Sequence, residues 1–214
     1  GLAGLVCFGD LTEALSATVP IRVSHRLESV KLLHQEGENT GPPEFHAALF
    51  AEAVSRPEIS APTRKRVFAS AVSASDYRDR GRPSSWSAAV DRVAADVDGA
   101  GQDTRLVILS AGNTELQAWH DYPSSLSTNL IHDPGQAWNA ITVGAYTAKV
   151  DTEAPGWLPV APEGGLSPFT TTSATWDGAW PLKPDVVFEG GNAGRDATGP
   201  ATMTSLSLLS TGHR

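Results

Sequence analysis

The sequence predicts an α/β fold, a three-layer sandwich with a mostly parallel central sheet, spread over one domain of 214 residues. Three observations carry this. Residues Leu106-Val107-Ile108-Leu109 form a short, wholly apolar run, as expected of a strand covered on both faces. Residues 84–97 place Trp86, Ala89, Val90, Val93 and Val97 on one helical stripe directly before that run. Strand-like and helix-like segments then alternate at lengths that suit right-handed crossovers between parallel strands.

Taken in order, Gly1 to Leu15 carries apolar residues at 2, 5, 6, 8, 11 and 15, which predicts a largely buried helix. Glu28 to Leu33 reads as a strand. Glu44 to Val54, with Phe45, Ala48, Leu49 and Ala53 in register, reads as a helix behind a Gly-Pro-Pro turn. Val67 to Val72 is a strand. Pro83 and the serines Ser84-Ser85 supply the start signals of the 84–97 helix. After residue 115 the texture changes to long loops rich in Pro, Ser, Thr and Trp, broken by strands near 140–146 and 184–188. The sheet is therefore expected to hold parallel strands near 28–33, 67–72, 106–109 and 140–146.

Composition narrows the function. With 40% hydrophobic and 19% charged residues the chain can bury a substantial core. A net charge of −8 opposes binding to nucleic acid or an anionic membrane, and the longest basic cluster is Arg64-Lys65-Arg66. No run of apolar residues approaches the roughly 18 needed to cross a bilayer. The lone Cys7 excludes an intramolecular disulfide and multi-cysteine metal sites, and fits a reducing compartment. His120-Asp121 and His132-Asp133 are adjacent pairs without metal-ligand spacing, so both histidines read as loop surface residues and neither a metal nor a cofactor is expected. Gly190-Gly191-Asn192-Ala193-Gly194 lacks the Gly-Lys-Ser/Thr ending of a phosphate loop and reads as a flexible turn after a strand.

The 106–109 strand ends on Ser110-Ala111-Gly112-Asn113. In open α/β sheets ligands bind beyond the carboxyl ends of the strands, and small residues there let another backbone approach. An asparagine so placed either stabilises a developing oxyanion or simply takes up the turn after the strand.

Five segments in order extend this reading. Gly1-Leu2-Ala3-Gly4 is similar to the end of a His-Gly-Thr-x-x-Ala-Gly motif; Ser110 to Asn113 resembles an oxyanion strand; Ala140-Ile141-Thr142-Val143-Gly144-Ala145 resembles the strand that follows it. Leu166-Ser167-Pro168-Phe169-Thr170 is similar to a Ser-x-Phe-Ser segment, and Lys183-Pro184-Asp185-Val186-Val187 to a Lys-Pro-Asp-Val motif. Together they resemble the subtilisin-like serine peptidases over nearly the whole chain.

The resemblance implies a peptide or protein substrate and assigns Asn113 as the oxyanion-stabilising residue of the catalytic site. It implies that Ser70-Ala71-Val72 form one wall of the substrate cleft, pairing with an extended peptide, and that Ser110-Ala111-Gly112 form the opposite wall of the primary specificity pocket. Val72, where the family carries glycine, would set a branched side chain beside the substrate backbone. The family orders its triad Asp, His, Ser, and none of the three can be matched here: aligned through Gly1 to Gly4, the histidine falls about three residues before Gly1. No Gly-Thr-Ser-x-Ala occurs before Arg214. The chain therefore reads as an internal fragment lacking the first strand and the serine-bearing helix, inactive by itself, with an exposed sheet edge that would admit a second copy. The two functions carried forward are the central part of a serine endopeptidase and a non-catalytic peptide-binding or degenerate subtilase-like module.

Overall fold

The structure, a computed structural model, describes residues 1–32, 45–74, 80–99 and 101–212. Its centre is a sheet of four parallel strands, β1 (Val67–Ser70), β2 (Leu106–Ser110), β3 (Ile141–Tyr146) and β5 (Val186–Glu189), in the spatial order β1-β2-β3-β5. Three of the expected strands are thus present and parallel, and a fourth position is taken by the 186–189 segment.

Two helices cover one face of this sheet. Ser84 starts α4 (Ser85–Ala94) through a capping box in which its hydroxyl accepts from Ser87 N–H while Ser87 Oγ accepts from Ser84 N–H, satisfying two otherwise orphan amides. Trp86, Val90 and Ala94, one helical turn apart, are buried against Val107 and Leu109. Phe50 and Val54 of α3 (His46–Ser60) close the same cluster. Glu44, the expected start of α3, and the Gly-Pro-Pro turn at 41–43 lie outside the described residues.

Among the described residues the opposite face is uncovered at the amino ends of the strands. Strand alternation puts Val67, Leu106, Ile141 and Val186 on it, and these are 58%, 46%, 38% and 42% exposed. Among the described residues, then, helices cover one side of the sheet.

The N-terminal expectations need correction. The predicted helix over 1–15 is two short ones, α1 (Leu2–Phe8) and α2 (Leu11–Ser16), split at Gly9, where Asp10 caps α2 by accepting from Thr12 N–H. Only Gly4 is buried in the pair. The apolar spacing was real, but no described element lies over it. Residues 28–32 of the predicted 28–33 strand have no regular structure and are largely exposed, and Leu33 lies outside the described residues. What holds this segment is charge: Glu28 accepts from Arg64 and Arg66, just ahead of β1, without the backbone ladder that makes a strand.

A second sheet was not anticipated. β4 (Leu158–Pro159), β6 (Ala193–Asp196) and β7 (Gly199–Thr202) pair antiparallel in the order β4-β6-β7. The 190–194 segment does follow a strand as expected, but it is a packed junction between the sheets rather than a flexible turn. Asn192 is fully buried there, its amide donating to the carbonyls of Lys149 and Ala161 and its oxygen accepting from the N–H groups of Ala161 and Ala193.

Candidate functional site

Ser70 sits opposite Leu109 in the β1–β2 ladder, so the two chains leave the sheet together at its carboxyl end. Residues 71–74 continue from β1 and residues 111–113 from β2. A third segment, 131–135, runs between them. Ala74 N–H donates to Asp133 O at 2.8 Å, and His132 N–H donates to Ala111 O at 2.9 Å. Two consecutive residues therefore fasten this segment to the chain leaving β1 and to the chain leaving β2.

The Ser110 to Asn113 segment is held more tightly than a free strand end. Ala111 N–H donates to Val143 O, and its carbonyl accepts a second bond from Thr171 Oγ1 at 2.7 Å. Ala111 is 1% exposed. Gly112 has φ +118°, a region that side chains with Cβ rarely adopt, and a Cβ there would lie 2.4 Å from His132 Cγ. Glycine is required at this position for two independent reasons.

Asn113 is exposed, and its carboxamide makes no hydrogen bond with the described residues. The backbone behind it is pinned: Thr114 Oγ1 donates to Pro168 O at 2.7 Å and accepts from the Trp119 indole N–H at 2.9 Å. Trp119 in turn tilts against Phe169, ring centroids 4.8 Å apart. A fixed main chain carrying a carboxamide with unspent donors can stabilise negative charge on a neighbouring atom without reorganising.

At the end of β1, Ser70 is half-buried and Ala71 exposed. Val72 is partly buried and packs against the core cluster beneath the sheet.

The Leu166 to Thr170 and Lys183 to Val187 segments serve as supports. Thr170 Oγ1 accepts from Ala145 N–H at 3.0 Å. Lys183, 4% exposed, donates to Ala140 O at 3.0 Å and to the Asp185 carboxylate at 2.7 Å, while the same carboxylate oxygen accepts from Thr142 N–H at 2.7 Å. This clamp fixes where β3 and β5 begin, and through β3 the height of the Ala111 amide.

His132 is the residue that sequence reasoning misjudged. Far from being a surface loop histidine, it is 9% exposed with its ring against Gly112. Burial pushes the imidazole pKa below its ordinary value, against the nearby Glu115 carboxylate, which favours the charged form. The neutral ring is therefore favoured at neutral pH. Its neighbour Asp133 accepts from the α4 cap Ser84 Oγ at 2.6 Å and from Gln136 Nε2 at 3.0 Å. The only sequence signal for this arrangement was the Asp133-Pro134-Gly135 turn after the histidine, which does not say against what the ring will pack.

His120 lies elsewhere, beside Gly199 of β7. A depression of about 560 Å³ is lined by residues that include Arg80, Arg82, Thr175, Trp176, Asp177 and Trp180, none of them among the site residues expected from sequence. Among the described residues no group of three or more His, Cys, Asp or Glu is placed to hold a metal ion, and no helix is long and apolar enough to cross a membrane.

A model of peptidase S8, the subtilase family, matches residues 1–214. No curated protein matches the chain.

Proposed function

The chain belongs to the subtilase family, and from that membership we propose that it supplies the oxyanion donor and both cleft walls of a subtilisin-like serine endopeptidase. The observation that carries this is Asn113: an exposed carboxamide, unengaged by the described residues, at the carboxyl end of a central strand whose backbone is fixed on both sides.

In this reading a serine attacks the scissile carbonyl, a histidine takes the serine proton and later returns it to the leaving amine, and an aspartate orients that histidine. None of the three is matched among these residues. The Asn113 carboxamide NH2 donates to the carbonyl oxygen as it becomes an oxyanion. The peptide lies extended between Ser70-Ala71-Val72 and Ser110-Ala111-Gly112, held by main-chain hydrogen bonds in the manner of an added strand. The uncovered sheet face, carrying Leu106, Ile141 and Val186, suits the remaining helical layer of a three-layer sandwich.

The test is kinetic. In the protein bearing the complete triad, Asn113→Ala lowers kcat by about a hundred- to a thousandfold with KM nearly unchanged, a magnitude carried over from a subtilisin. A raised KM with kcat intact would make Asn113 a binding or turn residue. The 214-residue chain by itself takes up no fluorophosphonate; stoichiometric labelling of one of its serines would overturn the assignment of roles.

A further inference from the structure

We propose that the depression between the 80–82 turn and the 175–180 loop is a separate binding site, for a ligand that carries a carboxylate beside an aromatic ring. The proposal uses none of the residues assigned to catalysis or to peptide binding, and it stands whether or not the peptidase reading does.

The site is built from two held pieces of chain. The first carries Trp176 and Trp180. Its ends are tied together by Ser173 N–H, which donates to Lys183 O at 2.9 Å, and by Lys183 N–H, which donates to Ser173 Oγ at 2.8 Å. Between them Trp176 N–H donates to Ser173 O and Trp180 N–H to Asp177 O, both at 3.0 Å, so two successive turns set the positions of the indoles. Trp180 also meets the Trp138 ring edge-on, with centroids 6.4 Å apart. The second piece is Arg80-Gly81-Arg82. Gly81 has φ +93° and is buried against both indoles: a Cβ there would lie 2.7 Å from Trp180 Cβ and 2.8 Å from Trp176 Cε3. Arg80 has φ +47°, uncommon for a residue with a Cβ, and strain of this kind gathers at ligand sites. The glycine presses the turn onto the tryptophans, and the arginines on either side of it both line the depression.

Volume, charge and surface together say what fits. The depression measures about 560 Å³, within the roughly 300–1,000 Å³ usual for small-molecule sites. Arg80 and Arg82 are exposed, and their guanidinium groups make no hydrogen bond or ion pair with the described residues. The lining carboxylate, Asp177, already accepts from Ala179 N–H of its own loop at 3.0 Å. The lining is therefore cationic on balance in a chain of net charge −8, which selects an anion. A planar guanidinium pairs its N–H donors with the two oxygens of a carboxylate. The half-buried indoles offer ring surface for an aromatic group attached to it.

The experiment titrates phenylacetate into the 214-residue chain and follows the indole N–H resonances of Trp176 and Trp180 by NMR, assigned through Trp176→Phe and Trp180→Phe. Both resonances shift saturably, with a Kd of ~1 mM. Acetate and benzyl alcohol, each lacking one half of the ligand, bind at least about tenfold more weakly. Arg80→Gln and Arg82→Gln, at exposed positions, each weaken phenylacetate binding about tenfold while the urea midpoint stays where it was. Gly-Gly-Phe and its C-terminal amide distinguish two sources of the same chemistry. Tighter binding of the free acid extends the ligands to a peptide chain end, whereas weak binding of both beside a phenylacetate response confines them to small free acids. No saturable shift with phenylacetate or Gly-Gly-Phe overturns the proposal. So does a benzyl alcohol response equal to that of phenylacetate, or binding unmoved by both arginine substitutions.

Discussion

The two faces of the central sheet are built from nearly the same residue types and have opposite fates. On one, Val107 and Leu109 are 0% and 1% exposed beneath α3 and α4; on the other, Leu106 and Ile141, from the same strands or the next, are 46% and 38% exposed. The hydrophobicity of a strand residue therefore states what it needs, and the neighbouring element decides whether it gets it. The run Leu-Val-Ile-Leu looks uniform in sequence, yet its first and last residues contribute quite differently to the stability of this chain.

Paired substitutions test that contrast. Leu109→Ala removes a side chain that touches α4 and the cluster around it, and costs about 3 kcal/mol of unfolding free energy by urea denaturation of the 214-residue chain. A loss below about 1 kcal/mol would mean that the covered face is loosely packed. Thr142, opposite Leu109 and fully buried, donates to Gly135 O at 2.6 Å. Thr142→Val keeps the shape and leaves that carbonyl short of a partner, for a loss of about 1–2 kcal/mol in the same assay. Leu106→Ala, on the open face, costs about 0.5 kcal/mol or less. The last is the sharpest probe: a loss above about 2 kcal/mol would show that the open face is covered in solution, by a second copy or by another segment.

The same contrast explains what could be read from sequence. Elements whose signals are local were legible. The 84–97 helix carries its cap, Ser84 with Ser87, and its stripe within its own span, and ended within three residues of expectation. The 106–109 strand is announced by its own composition. Where structure depends on a partner far along the chain, the reading failed. Residues 28–32 have strand-like composition but meet arginine side chains instead of a backbone ladder. β4, β6 and β7 are short and contain Pro, Gly and charged residues that argue against strands, and form through mutual pairing.

The site divides in the same way. Ser110 to Asn113 stood out because strand end, small residues and carboxamide are contiguous. His132 did not, because its placement depends on a missing side chain at Gly112, twenty positions earlier, and on hydrogen bonds from Ala74 and to Ala111 that bring three distant segments together.

Asp133 ties the 131–135 segment both to the start of α4 and to the chain leaving β1. Its carboxylate takes the hydroxyl hydrogen of the α4 cap, and its main-chain carbonyl takes the amide of Ala74, beyond the end of β1. Were the first turn of α4 to fray, the Asp133 carboxylate would lose the Ser84 bond and keep that from Gln136, and the backbone bond between Ala74 and Asp133 would lose one of its supports.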